Sequence, residues 1–330
     1  MNGRVRQALL NLTLLAFTVA VFAGFLEVAL RVAFAHSLDF SMEMWKYAVA
    51  LKQPVDDPRL SFVHRPNRSA FLMGVPFAIN SAGLRDREFQ REKPAGVRRI
   101  VWLGDSTTVG WGVPLEGTAP KILERELDAA GGRFEVLNCG VGNYDTVQEV
   151  EQYLTIDRAF QPDQVILEYF INDAEPVPHE RHAGVAGHSY LAAFAISRFD
   201  GALRLAGMRP QWRDYYSALY RDGSPGFEAA KEALGRLADA TARDGAGLLV
   251  AILPELHQIN GTYPFEAEQA KVKDYLAARK IRTLDLLPCL RGHGPESGLW
   301  VTPADAHPNA KANTLIAACV KDNVRADEHP

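Results

Sequence analysis

Hydrophobic and polar positions change their pattern three times along the chain. From Ala8 to Leu26 the residues are almost wholly apolar, with mild interruptions at Asn11 and Thr13. These 19 residues come close to the roughly 20 that a helix needs to cross a bilayer. Arg4 and Arg6 stand ahead of the run, an asymmetry that keeps an N-terminus cytoplasmic and sends the rest of the chain outward. Glu27 and Arg31, four apart, fall on one helix face as an ion pair at the outer interface. The competing reading is a cleaved signal peptide, with small residues at Val21 Phe22 Ala23 or Ala33 Phe34 Ala35 as cleavage sites. The run exceeds the roughly 7–15 residues of a signal core, which favours a retained anchor over residues 1–35.

Residues 36–96 lack a long period. His36 to Lys52 reads as a short helical neck carrying Phe40, Met42, Met44, Trp45 and Tyr47, aromatic enough either to lie at headgroup level or to pack on the main domain. Alternation in Ser69 Ala70 Phe71 Leu72 and Val75 Pro76 Phe77 Ala78 Ile79 predicts a strand pair. It leads through Asn80 Ser81 Ala82 Gly83 Leu84 Arg85 toward that domain as an apron. Arg85 and Arg87 are expected to make surface ion pairs, with substrate contact the alternative.

From residue 97 to 330 short apolar runs alternate with helical periods. Strands are predicted at Ile100–Leu103, Phe134–Asn138, Gln164–Phe170, Gly247–Leu253 and Ile281–Leu287. Helices are predicted at about 118–130, 146–160, 227–244, 264–280 and 308–324, the first stopped by Gly131 Gly132. Five near-continuous apolar strands separated by helices describe an α/β domain whose parallel sheet is covered on both faces. Residues 174–226 break the period. They read as an insert with short helices near 190–205 and 212–220, placed to roof the carboxyl edge of the sheet.

Chemistry enters where the strands end. The run Arg98 Arg99 Ile100 Val101 Trp102 Leu103 breaks at Gly104 Asp105 Ser106, which delivers the Ser106 hydroxyl to the edge where open α/β sheets place their ligands. A lone Ser at that position is as well explained as a helix cap. Company elsewhere shifts the balance: Asn172 Asp173 follows the third strand, and Asp305 Ala306 His307 Pro308 Asn309 precedes the last helix.

These blocks resemble the SGNH hydrolases, also called GDSL esterases, over about residues 97–320. The resemblance implies a flavodoxin-like three-layer α/β/α sandwich with strand order 2-1-3-4-5. It also implies a serine esterase working through an acyl-enzyme, with Ser106 as nucleophile, His307 as base and Asp305 orienting the imidazole. The family's commonest spacing puts the acid three residues before the His, where this chain has Ala304, so a Ser-His dyad stays open beside the Asp305 triad. The oxyanion donors implied are the Ser106 amide, the Asn172 side chain and a backbone amide in Asn138 Cys139 Gly140 Val141 Gly142 Asn143 Tyr144. Register puts that amide at Asn143, with Gly142 the alternative. Asp105 and Asp173 are assigned to supporting the loops, because a carboxylate beside a developing oxyanion opposes the reaction.

Composition adds exclusions. A net charge of −4 gives no footprint for nucleic acid. Three scattered cysteines make no metal framework, and a Cys289–Cys319 bridge is open only in an oxidising compartment. His179, His182 and His188 have a spacing that can hold zinc, but the chemistry asks for no metal or cofactor, and a solvated lid is the expected setting. The expectation is therefore an outward-facing, single-pass esterase held in the cytoplasmic membrane through residues 8–26. Its substrate is an acyl or acetyl ester, on a glycan or a lipid. An O-acyltransferase acting on an exported polysaccharide or lipid uses the same intermediate, and a binding or assembly protein that keeps only the fold is the third reading.

Overall fold

The computed structural model describes residues 3–178 and 185–324. The apolar N-terminus forms one helix, α1 (Gly3–Ala33), with Leu14, Phe17 and Phe25 each about two-thirds exposed. The neck is α2 (Phe40–Leu51), capped by Asp39, whose carboxylate accepts from Met42 N at 3.1 Å. It packs on the domain: Met42, Tyr47 and Leu51 are fully buried, so of the two settings open to the neck aromatics, packing holds for Tyr47.

The apron contains two antiparallel pairs. β1 (Lys52–Pro54) joins β2 (Phe62–His64), and β3 (Arg68–Leu72) joins β4 (Val75–Ile79). Only the second pair is visible in the sequence, since three-residue strands are too short to show a period. Arg85 corrects expectation. It is buried and, in place of a surface ion pair, donates to the carbonyl oxygens of Val109 (2.7 Å), Gly110 (2.5 Å) and Val113 (2.7 Å). Those carbonyls lie in an irregular turn without a ladder of their own, and a buried acceptor needs a donor. Arg87 does form an exposed ion pair, with Glu124 and Glu116.

The main sheet comprises β5 (Arg98–Leu103), β6 (Phe134–Asn138), β7 (Gln164–Tyr169), β8 (Gly247–Ile252) and β9 (Arg282–Asp285). All pairings are parallel and the spatial order is β6-β5-β7-β8-β9, the order the family resemblance implies. Val101, Trp102, Leu103, Val165, Ile166, Leu167, Leu249 and Val250 have no exposed surface, which is why these strands read as continuous apolar runs and not as alternation.

After β5 come α3 (Ser106–Val109) and α4 (Ala119–Ala129). α5 (Thr146–Thr155) precedes β7; the predicted helix runs to Phe160, but its last turn is a 3₁₀ segment (Asp157–Phe160), a common way for helices to finish. The insert holds α6 (Tyr190–Leu205) and α7 (Trp212–Leu219), followed by α8 (Pro225–Asp244), α9 (Glu266–Ala278) and α10 (Leu287–Leu290). The closing hairpin, β10 (Trp300–Thr302) with β11 (Asp305–Pro308), ends at Pro308, where the last helix is predicted to begin. α11 spans Ala310–Lys321, because Asn309 caps it by accepting from Lys311 N and Ala312 N.

α4 packs with α11 and α5 with α8. Right-handed crossovers leaving β5 in one direction and β7 in the other place these pairs on opposite faces of the sheet. The crevice between the carboxyl ends of β5 and β7 is thus the switch point. Cys289 and Cys319 are joined by a disulfide, and Cys139 is a buried free thiol.

Candidate active site

Ser106 opens α3 immediately after β5. The strand can turn this sharply because residue 104 is glycine: a Cβ there would lie 2.1 Å from Thr108 Oγ1. Asp105 stabilises the turn as the cap of α3, its Oδ1 accepting from the Thr107 amide (2.8 Å) and hydroxyl (2.9 Å). Ser106 is 7% exposed.

β11 brings His307 to the same edge across 201 residues of chain, with Nε2 2.9 Å from Ser106 Oγ. Asp305 Oδ1 lies 2.5 Å from His307 Nδ1 and also accepts from the His307 amide at 3.1 Å. Two residues apart on a strand share a face, so the Asp-x-His spacing still lets the carboxylate meet the ring. Burial pushes the Asp305 carboxyl up, but the hydrogen bond and charge of His307 outweigh it, and the net position is below the usual carboxylate range. The imidazole is held between aromatic rings: Phe40 of α2 stacks on it at 5.6 Å, and Trp111 lies at 6.4 Å.

From β7, a short 3₁₀ turn (Ile171–Ala174) carries Asn172 across the switch point to β5. Its Nδ2 donates to Asp105 Oδ2 at 2.9 Å, leaving the second amide hydrogen without a partner among the described residues. Asp173 faces inward, its Oδ2 accepting from Phe170 N (3.1 Å) and Thr146 Oγ1 (3.2 Å), which ties the β7 turn to α5. Burial, with Asp105 nearby, drives the Asp173 carboxyl well above its usual range.

The loop after β6 is fixed from below by the neck and apron. The Gly142 amide donates to Tyr47 Oη at 2.9 Å, and that hydroxyl bonds to His64 Nε2 at 2.5 Å. The Lys52 amino group, buried over the Tyr47 and Phe62 rings, donates to the Gly142 carbonyl and to Asn143 Oδ1 (3.0 Å), and burial holds its pKa well below the usual lysine range. Asn143 adopts φ +65°, a region Asn tolerates better than most residues. With Gly142 N–H engaged, the alternative donor is already occupied. Nothing in the sequence of the neck, read alone, points to this role for Tyr47 and Lys52.

Glu168 is a further participant that sequence reasoning missed, being masked inside an apolar strand. It is buried, and its Oε1 lies 2.6 Å from Thr107 Oγ1, which also faces Asp105 Oδ1. One hydroxyl proton cannot serve two carboxylates. A protonated Glu168 resolves this by donating to Thr107, which donates onward to Asp105. Burial pushes this carboxyl from 4.5 up to about 7, with Asp105 acting in the same direction. Because the folded value lies above the unfolded one, the native state holds extra proton between pH 4.5 and 7, and stability falls as pH rises through that window. Glu168→Gln is therefore expected to flatten the melting temperature against pH over this range and to be more stable than the parent at pH 8, by on the order of 1–3 kcal/mol. Thermal unfolding from pH 4 to 8 checks it; parallel curves for parent and variant would show that Glu168 does not titrate there.

A cavity of about 260 Å³ opens beside His307 and Asp305. Phe40, Phe170, Trp212, Tyr216 and Leu256 give it apolar walls. Of the insert, α7 reaches the cavity through Trp212 and Tyr216. α6 does not roof the site but packs against α1 and α2. His257 adds a polar wall, its Nδ1 paired with Glu255, whose carboxylate also accepts from the His257 amide at 3.0 Å. His179 and His182 lie outside the described residues. The carbonyl of His188 accepts from Arg31 at 3.2 Å, and among the described residues no cluster of His, Cys, Asp and Glu is arranged to hold a metal.

An open parallel sheet that brings Ser106, His307 and Asp305 together at its switch point is the frame of an α/β hydrolase, and the family match makes it a serine ester hydrolase. The chain belongs to the GDSL-like lipase/acylhydrolase family, whose model matches residues 102–315. Among solved structures it is similar to the psychrotrophic esterase EstA from Pseudoalteromonas sp., at 17% identity over 69% of this chain and 96% of that one, with a TM-score of 0.43. It is also similar to a catalytic mutant of Axe2, an acetylxylan esterase from Geobacillus stearothermophilus, at 14% identity over 70% of this chain and 95% of that one, with a TM-score of 0.47. No curated protein matches the sequence.

Proposed function

We propose that this chain is a membrane-tethered serine esterase that cleaves acyl or acetyl esters outside the cytoplasmic membrane. The observation that carries the reading is the relay from Ser106 Oγ to His307 Nε2 (2.9 Å) and from His307 Nδ1 to Asp305 Oδ1 (2.5 Å). Ser106 Oγ attacks the ester carbonyl as His307 takes its proton. The imidazolium then returns that proton to the departing alcohol, leaving an acyl-serine. Water, deprotonated by the same imidazole, releases the acid. Asp305 holds the ring in the tautomer that presents a bare Nε2 to the serine.

Charge developing on the carbonyl oxygen is met by the amides of Ser106 and Asn143 and by the second hydrogen of Asn172 Nδ2. Asn172→Ala is expected to lower kcat/KM by about 10²- to 10³-fold, mainly in kcat. A loss below about tenfold would reassign Asn172 to supporting Asp105. The reading as a whole is tested by treating the full-length protein with a fluorophosphonate and mapping the adduct. Modification at Ser106 is expected, and an unlabelled Ser106 in folded protein would remove the mechanism.

The tether reading draws on α1 and on its outer end. Glu27 accepts from Ser189 Oγ (2.9 Å), Tyr190 N (3.0 Å) and Leu191 N (2.9 Å), contacts that cleavage beyond residue 27 would discard. A disulfide in the domain fits an oxidising, outward setting. Transfer of the acyl group to a glycan hydroxyl instead of water is the second reading. The His257–Glu255 pair favours it, as a polar anchor for an acceptor hydroxyl in an otherwise apolar, aromatic cavity. Partition of the acyl group between water and an added glycan separates the two.

A further inference from the structure

α6 is amphipathic in the wrong sense for a helix surrounded by water. Ala195, Ile196, Phe199, Ala202 and Ala206 are all exposed, and at 100° per residue they fall within about a third of the helix circumference. Ile196 is 66% and Phe199 65% exposed, and Leu205 and Met208 at the C-terminal end reach 92% and 75%. The opposite side of the helix, through Ala193, Phe194 and Ser197, is the part-buried one. A contiguous apolar face of this kind on a soluble surface marks something that covers it.

Its place says what the cover is. The first turn of α6 is held by the Glu27 carboxylate on α1, and Arg31 lies over the Tyr190 ring at 4.9 Å. Phe34 and Phe194 touch at 5.7 Å between centroids. Ala8–Leu26 takes up about 28 Å at 1.5 Å per residue, close to the hydrocarbon thickness, so Glu27 and Arg31 stand where α1 leaves the lipid. A helix docked there has its exposed face at the level of headgroups and upper acyl chains. Arg198 flanks the apolar face, as the cationic rim of an interfacial helix does. Trp45 and Tyr190, edge to face at 4.8 Å, supply the aromatic pair typical of that depth.

We propose that α6 lies in the outer leaflet interface beside α1, as a second membrane contact that fixes how the domain sits on the bilayer. The inference rests on reading α1 as a retained span. It gives the insert a role other than roofing, and it reaches the catalytic wall. Arg198 on the rim of α6 pairs with Asp39, the cap of α2, and the next residue, Phe40, stacks on His307. The bilayer thereby sets the position of one wall of the ester cavity.

The test uses full-length protein in lipid nanodiscs with a single bimane-labelled cysteine at Phe199, at Leu14 in α1, or at the exposed Ala277 in α9. Background thiols do not interfere, since Cys139 is buried and the other two cysteines are bridged. Quenching of Leu14→Cys by lipids spin-labelled deep in the chain establishes the span. Phe199→Cys is then expected to be quenched by lipids labelled near the headgroup and to emit further to the blue than Ala277→Cys, which lipid quenchers should not reach. A quenched Leu14 label with a Phe199 label reached only by aqueous iodide would overturn the inference and leave the anchor intact. A Phe199 label shielded from both quenchers would overturn it in favour of a protein cover. An unquenched Leu14 label would bring down the anchor reading and this inference together, leaving the esterase assignment untouched.

Discussion

Ser106→Ala is expected to lower ester turnover by about 10⁶-fold, to the level set by binding and the oxyanion donors alone, and to abolish fluorophosphonate labelling. Neither neighbouring threonine of α3 is placed to replace the hydroxyl: Thr107 Oγ1 is committed to Asp105 and Glu168, and Thr108 Oγ1 faces the Leu103 carbonyl. Folding should survive. The hydroxyl contributes one hydrogen bond to the exposed side of the site, through His307, and a long 3.4 Å contact to Asp105. Its removal should therefore shift stability by no more than about 1 kcal/mol. Turnover, labelling and thermal unfolding of the same preparation check the three parts. Activity near that of the parent would transfer the reaction to a different nucleophile.

His307→Ala is expected to cost as much as the serine change, and the double variant no more than either, because the two side chains act as one unit. In the proposed mechanism the imidazole receives the serine proton and later supplies the proton to the leaving alcohol, so neither half-reaction would proceed without it. Additive losses, measured as kcat/KM for parent, singles and double, would break this account. The same series grades Asp305. A loss of roughly 10³-fold or more in Asp305→Ala makes the carboxylate a working part of a triad. A near-parental rate leaves a dyad whose ring is kept in place by the stack on Phe40 and the neighbouring Trp111.

The site and its support differ in how far they could be read from the chain. Ser106, Asn172 and His307 each follow a feature with a sequence signature: an apolar strand ending in Gly-Asp-Ser, a second strand ending in Asn-Asp, and an Asp-x-His ahead of a capped helix. Their partners have none. Glu168 sits in a fully buried strand where every neighbour is apolar, and Tyr47 and Lys52 look like the polar fringe of a membrane neck. Arg85 reads as one of several surface arginines. Each is defined by what it meets at long range: Thr107 at 61 residues, Gly142 at 95 and 90, Val109 at 24. Burial makes those meetings matter, because a buried donor or acceptor must be paired.

Periodicity by itself determined the apolar N-terminal helix, the five parallel strands and the helices between them, since burial of both sheet faces writes itself into local composition. Motif spacing at the strand ends pointed to the side chains that the fold brings together, Ser106, His307 and Asp305. Tertiary structure alone decided that the neck and apron clamp the loop after β6, that Phe40 packs on His307, that a strand, β11, carries His307 to Ser106, and that α6 turns its apolar face outward beside α1. These outcomes depend on which distant segments become neighbours. Local preference carries no record of them, because a residue's own neighbours in sequence do not say which donor, ring or lipid it will face across the fold.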